Sequence, residues 1–197
     1  MSITYVNRKG RTYHLCQGVT KTGKPRYYFS TKAEGNLVEK VPQGYTIQES
    51  VNGIVSLVKE RPMLLTEKEI DTVKRAVQKH PKAKRYRVGI KPDRVEIYEQ
   101  VGPNLMDLFV ALKQEGLLTP GDNMAHRLQE EERVYGQFTP AMRFILADEE
   151  KRYFRAQRMC YRGGMDHWIE VGFGKTLGQM ASSLIPKLGT EEFFELS

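Results

Sequence analysis

Through residue 60 the apolar and polar positions follow the two-residue period of strands. Residues 11–16 and 26–31 are rich in aromatic and β-branched side chains. Between them, Gly18 and the run Lys21-Thr22-Gly23-Lys24-Pro25 supply turn chemistry. Residues 45–50 and 54–59 flank Asn52-Gly53. Asn-Gly suits a two-residue type I′ turn, because both central residues need positive φ. Such a turn predicts that Tyr45, Ile47, Val51, Ile54 and Val58 share one buried face. No helical period is visible before Pro62.

The period then changes. Thr66-Glu67-Lys68-Glu69 has the form of a capping box. Ile70, Val73 and Val77 follow at helical spacing, predicting a helix of roughly four turns that stops before Pro81. Alternation returns at Tyr86, Val88 and Ile90 and at Val95 and Ile97, with Lys91-Pro92-Asp93 as the turn of a second hairpin. Leu105, Met106, Leu108, Phe109 and Leu112 predict a helix ended by Gly116, and a weaker helix is expected over 122–135. Met142, Phe144 and Leu146 alternate, and Asp148-Glu149-Glu150 turns the chain into a strand over 152–161. After a break at Gly163-Gly164, a short strand is expected over 168–171. Leu177, Met180, Ala181, Leu184, Ile185 and Leu188 predict an amphipathic helix that Pro186 kinks or ends. Strands and helices mix without regular βαβ alternation, which predicts an α+β fold. The expected organisation is a β-rich module over 1–62, followed over 63–197 by an α+β domain with antiparallel strands and three to four helices.

Composition narrows the chemistry. At 197 residues and 40% hydrophobic, the chain can bury a core without a covalent or metal staple. Cys16 and Cys160 are the only cysteines and lie far apart, which argues against a disulfide scaffold and a Cys-rich zinc site. His14, His80, His126 and His167 lack ligand spacing, so no metal and no cofactor is expected. The first ten residues hold no apolar stretch of the signal-peptide kind, and no apolar run is long enough for a bilayer. A cytoplasmic protein with no membrane role is the expectation.

Charge sharpens this further. The formal net charge is +7. Residues 1–33 hold seven basic side chains and no acid, while the other 164 residues balance. A basic turn followed by aromatics suits a polyanion: Lys21, Lys24 and Arg26 would neutralise phosphates, and Tyr28 would stack on a base. Strand alternation separates Tyr27 and Phe29 from Arg26 and Tyr28, so one aromatic pair is expected to turn inward. A second basic run, Lys79, Lys82, Lys84, Arg85 and Arg87, begins at a helix C-terminus, where cations are favoured. Arg85 and Arg87 join the candidate nucleic-acid contacts, as one groove if the two runs share a face.

Other patterns are weaker. Gly172-Phe173-Gly174-Lys175-Thr176 imitates a phosphate-binding loop, but Ile169 stands where that motif needs its first glycine. It is expected to be a plain strand-to-helix turn. Cys160, Asp166 and His167 suggest a nucleophilic triad, yet adjacent strand residues point to opposite faces. Glu130-Glu131-Glu132 reads as a solvated helix face.

Three stretches carry a resemblance: Gly18 through Ser30, Val41-Pro42-Gln43-Gly44-Tyr45-Thr46-Ile47 with Asn52-Gly53, and a C-terminal set. That set is Pro140-Ala141-Met142-Arg143-Phe144, Asp148-Glu149-Glu150 and Gly164-Met165-Asp166-His167-Trp168-Ile169. Together they resemble a family of uncharacterised bacterial proteins, which implies a bacterial origin and no particular activity. The expected function is therefore polyanion binding, to DNA or RNA, through the basic hairpin. The alternatives are an interaction or accessory module that binds another protein, and a hydrolase-type enzyme using Cys160 and His167. The absence of a complete catalytic signature makes an enzyme the less expected of these.

Overall fold

The alternating segments form strands and the 3.6-period segments form helices, giving an α+β fold. The computed structural model describes residues 2–102, 105–116, 126, 127, 130 and 134–196. It divides into two compact units, residues 1–61 with 103–136 and residues 62–102 with 137–197.

The first unit is built on β1 (Thr4–Val6), β2 (Thr12–Val19), β3 (Pro25–Ser30) and the short β4 (Asn36–Leu37). β2 pairs antiparallel with β3 along its length, with β1 at the start of its other edge and β4 further along. Leu15 and Cys16 are fully buried, one on each face of β2. The β1–β2 turn is organised by Asn7, which is buried. Its Oδ1 accepts from the backbone N–H of Lys9 (3.0 Å) and Arg11 (2.9 Å), and its Nδ2 donates to the Gly53 carbonyl (2.6 Å).

β5 (Tyr45–Glu49) and β6 (Val55–Lys59) form a separate hairpin in this unit. Its turn differs from the expected one. Ser50 and Ile54 close a three-residue loop, with Ser50 N–H donating to the Ile54 carbonyl (2.9 Å) and Ser50 Oγ accepting from Ile54 N–H (3.1 Å). Gly53 takes a positive φ of 76° and Asn52 does not. The changed loop length changes the register: Tyr45, Ile47, Val55 and Leu57 share a face, while Ile54 stands exposed and Val58 lies opposite Thr46. α2 (Leu105–Gln114) forms where the apolar spacing predicts it. The helix expected over 122–135 falls largely outside the described residues.

The second unit is a five-stranded antiparallel sheet in the order β11-β10-β9-β8-β7. Its strands are β7 (Tyr86–Lys91), β8 (Arg94–Gln100), β9 (Phe138–Asp148), β10 (Tyr153–Cys160) and β11 (His167–Lys175). α1 (Glu67–Gln78) starts at the capping box: Thr66 Oγ1 accepts from Glu69 N–H (3.3 Å), and Glu69 Oε2 accepts from Thr66 N–H (2.9 Å). α3 (Leu177–Leu184) starts at a second box, Thr176 with Gln179. It passes at Pro186 into a 3₁₀ turn, as the lost N–H and ring clash require. Val73 and Val77 of α1, with Leu177, Met180, Ala181 and Leu184 of α3, join Val95, Ile97, Met142, Phe144, Phe154 and Ala156 of the sheet in one core. Burying each Phe stabilises by roughly 1.5–3 kcal/mol. α4 (Glu191–Glu195) closes the unit, with Phe193 buried. The buried Arg158 donates to the carbonyls of Phe194 and Leu196, both at 2.8 Å, satisfying acceptors that the short helix leaves open.

The opposite face of this sheet is polar. The Arg143 guanidinium lies over the Trp168 ring at 4.0 Å and its Nε donates to Gln157 Oε1 at 2.7 Å. Gln157 donates on to Glu170, which Arg155 also holds. Glu170 sits below the usual carboxylate range, chiefly because Arg155 hydrogen-bonds its charged form. β11 runs longer than the expected 168–171. Gly172 and Phe173 are paired with β10, and the chain leaves the strand at Lys175. The glycine-containing segment is therefore mostly strand, and Thr176 spends its hydroxyl on capping α3.

Candidate nucleic-acid interface

Lys21, Lys24, Arg26 and Tyr28 belong to one hairpin of the first unit. Its turn is tight because Thr20 closes it twice. Thr20 N–H donates to the Lys24 carbonyl (2.8 Å), and Thr20 Oγ1 accepts from Lys24 N–H (3.1 Å). Gly23 supplies the left-handed residue of this loop, with φ of 77°. Lys21 and Lys24 are thereby carried exposed at the tip of the β2–β3 hairpin.

The register decides what faces what. Gly18 lies opposite Arg26, and Cys16 opposite Tyr28, so these four share a face. Gly18 has no Cβ, and Tyr28 uses the space: a Cβ on Gly18 would come within 3.3 Å of Tyr28 Cε1. The ring thus lies across the neighbouring strand beside Arg26 and remains 42% exposed. Tyr27 and Phe29 turn to the other face with Leu15, as alternation requires. Among the described residues, Lys21, Lys24 and Arg26 form no ion pair. A cation without a carboxylate partner keeps its charge available to an incoming phosphate.

A second cationic turn was not singled out by sequence reasoning. Arg8, Lys9 and Arg11 crowd the β1–β2 turn that Asn7 holds, at the other end of β2. Lys9 sits below the usual lysine range, first through burial and then through repulsion by Arg8 and Arg11. Arg8 is partly neutralised by Glu49, 3.7 Å away. An eight-residue strand such as β2 spans about 25 Å. The signal that could have found this site is Asn7 followed by three cations in four residues, a turn former beside concentrated charge.

Arg85 and Arg87 stand in the other unit, and each has work there. Arg85 donates through Nη2 to the Gln100 carbonyl (3.4 Å) and lies 3.9 Å from Glu99. Arg87 lies over the Phe138 ring at 5.0 Å.

Cys160 and His167 are cross-strand neighbours at the end of β10 and β11, but no hydrogen bond joins thiol and ring. His167 Nδ1 contacts the Met165 carbonyl at 3.1 Å, and Asp166 Oδ1 accepts from Arg162 N–H at 3.0 Å. Asp166 therefore orients a backbone turn and not the imidazole. No cluster of metal-ligating side chains occurs among the described residues, and no helix among them is long and apolar enough to cross a membrane.

Comparison with known proteins yields no matching family model, curated protein or solved structure.

Proposed function

We propose that the first unit binds nucleic acid through the β2–β3 hairpin. Lys21, Lys24 and Arg26 contact phosphates, and Tyr28 offers its exposed ring to an unpaired base. The observation that carries this reading is the grouping on one hairpin of three cations without acidic partners among the described residues and an exposed aromatic ring that packs across Gly18 on the face it shares with Arg26. Charge supports it: residues 1–61 hold ten basic and four acidic side chains. Lys9 and Arg11, at the far end of β2, extend the footprint along the strand.

The test is fluorescence anisotropy with labelled single-stranded and duplex oligonucleotides over a salt series. Each phosphate neutralised contributes about −0.7 to the log–log salt slope for single strands and about −0.9 for duplex. Replacing Lys21, Lys24 and Arg26 together with Ala is expected to flatten the slope by roughly 2 to 3. Tyr28→Ala weakens single-strand binding by about 1–3 kcal/mol while leaving the slope in place. Absent binding, or a slope that the triple variant leaves unchanged, refutes the reading.

A second reading, an interaction module for another protein, is favoured by Phe173 and Met165, which stand 67% and 76% exposed on and beside the edge strand β11. Its partner would survive high salt, where a phosphate-driven complex dissociates.

A further inference from the structure

We propose that the cleft between α1 and α3 in the second unit binds a small organic anion, an anionic head group on a compact apolar body. Thr72, Arg75, Ala76 and Lys79 recur at helical spacing along one face of α1. Gly178, Ala181 and Ser182 face them from α3. The helices approach at one end, where a Cβ on Gly178 would lie 3.9 Å from Thr72 Cγ2. The small side chains beyond that point leave a cleft of about 420 Å³, completed by His80, Pro81 and Pro186. That volume is in the range of small-molecule sites.

The walls sort by chemistry. Ala76, Ala181, Pro81 and Pro186 offer apolar surface, and no carboxylate lines the cleft. The hydroxyl protons of Thr72 and Ser182 are spent within their own helices, on the carbonyls of Lys68 and Gln179. That leaves the cations. Lys79 has no acidic partner among the described residues. Arg75 has only Asp71, at 3.9 Å with both side chains largely exposed, a geometry that holds the guanidinium weakly.

His80 adds a directed donor to the cleft. It is buried, and its Nδ1 accepts from Lys82 N–H at 3.1 Å, which assigns the ring proton to Nε2. Tyr86 stands edge to face with the ring at 5.0 Å and fixes its orientation. Among the described residues no acceptor hydrogen-bonds the Nε2 proton, although His80 lines the cleft. The Nε2 proton is open to the cleft, and an anion there accepts it together with Lys79 and Arg75 through charge-assisted hydrogen bonds. The C-terminal end of α1 adds partial negative charge here, so affinity rests on these side chains.

The test titrates the full chain with 1-anilinonaphthalene-8-sulfonate and, in parallel, with N-phenyl-1-naphthylamine, which has the same rings without the charge. The sulfonate is expected to saturate and to shift backbone amides of residues 72–82 and 178–186. Arg75→Glu with Lys79→Glu, both on exposed positions, is expected to weaken the sulfonate about tenfold or more and to leave the neutral probe unchanged. Ser182→Trp, which fills the cleft, weakens both. Displacement by hexanoate alone assigns a carboxylate head, and displacement by hexyl phosphate alone a phosphate head. Sulfonate binding unaffected by charge reversal, amide shifts elsewhere, no saturation below ~1 mM, or displacement by neither hexyl anion overturns the proposal.

Discussion

Arg152 ties the β9–β10 turn to the start of α1, and its loss can be worked through in detail. It has the one positive φ of a non-glycine residue among the described residues, 52°. Its Nε donates to Glu69 Oε1 at 3.0 Å, and its Nη2 reaches both Glu69 Oε2 and the Leu64 carbonyl. Glu69 is also the second half of the α1 capping box. Arg152→Ala removes the two-pronged ion pair and the donor to Leu64 while keeping the unfavourable backbone, a loss of about 2 kcal/mol. Arg152→Gly removes the same contacts but fits the left-handed backbone, which recovers about 1 kcal/mol. The expected order of stability is wild type, then Arg152→Gly, then Arg152→Ala.

The sign with pH follows from Glu69. Burial alone would raise its carboxyl, but hydrogen bonds from Arg152 and Thr66, with the Arg152 charge, outweigh this and hold it below the usual range. A depressed carboxyl stabilises fully above its unfolded value of about 4.3 and ceases to do so as pH falls through the folded value. The gap between wild type and either variant therefore narrows from pH 6 to pH 3. Urea unfolding followed by Trp168 emission measures it, since Trp168 is the single tryptophan and lies in the same unit. An Ala variant at least as stable as the Gly variant, or a gap as wide at pH 3 as at pH 6, refutes the reasoning.

Two further outcomes are expected. Gly189 has φ of 69°, and a Cβ there would sit 2.7 Å from the Tyr86 hydroxyl, so Gly189→Ala costs about 2 kcal/mol or more. Adding Tyr86→Phe removes the clashing oxygen and restores part of the loss in thermal melts. Asn7→Ala strands two amides and a carbonyl of the first unit, costing about 2–3 kcal/mol, and amide hydrogen exchange at Lys9 and Arg11 accelerates.

What could be read in the chain was local. Both helix starts with a capping box lie within four residues, Thr66 to Glu69 and Thr176 to Gln179, and the first was visible from residue types alone. The Lys91-Pro92-Asp93 turn and the Pro186 helix end were visible for the same reason. The Asn52-Gly53 hairpin was recognised but its face was not, because Ser50 closes a three-residue loop with its side chain and one extra residue inverts the pattern. β1 and β4 are too short to carry a period and exist because β2 has an edge to pair with. At the candidate interface, the cations and Tyr28 stood out as composition. The engagement of Arg85 with Gln100 and of Arg87 with Phe138 did not, since those partners come from other strands. The α1–α3 cleft joins residues about a hundred positions apart and has no local signature.

β3 has a further consequence as the outer strand of its sheet. An outer strand offers unpaired backbone groups to any passing copy and invites edge-to-edge growth. Here the strand opens with Pro25, which has no N–H to offer, and continues with Arg26 below a tip carrying Lys21 and Lys24. Two such edges carry like charge, which opposes their edge-to-edge pairing. In the proposed complex a bound polyanion would cancel that repulsion along the strand it covers. On the proposed function, occupancy of the hairpin would thus be coupled to the tendency of the molecules to self-associate.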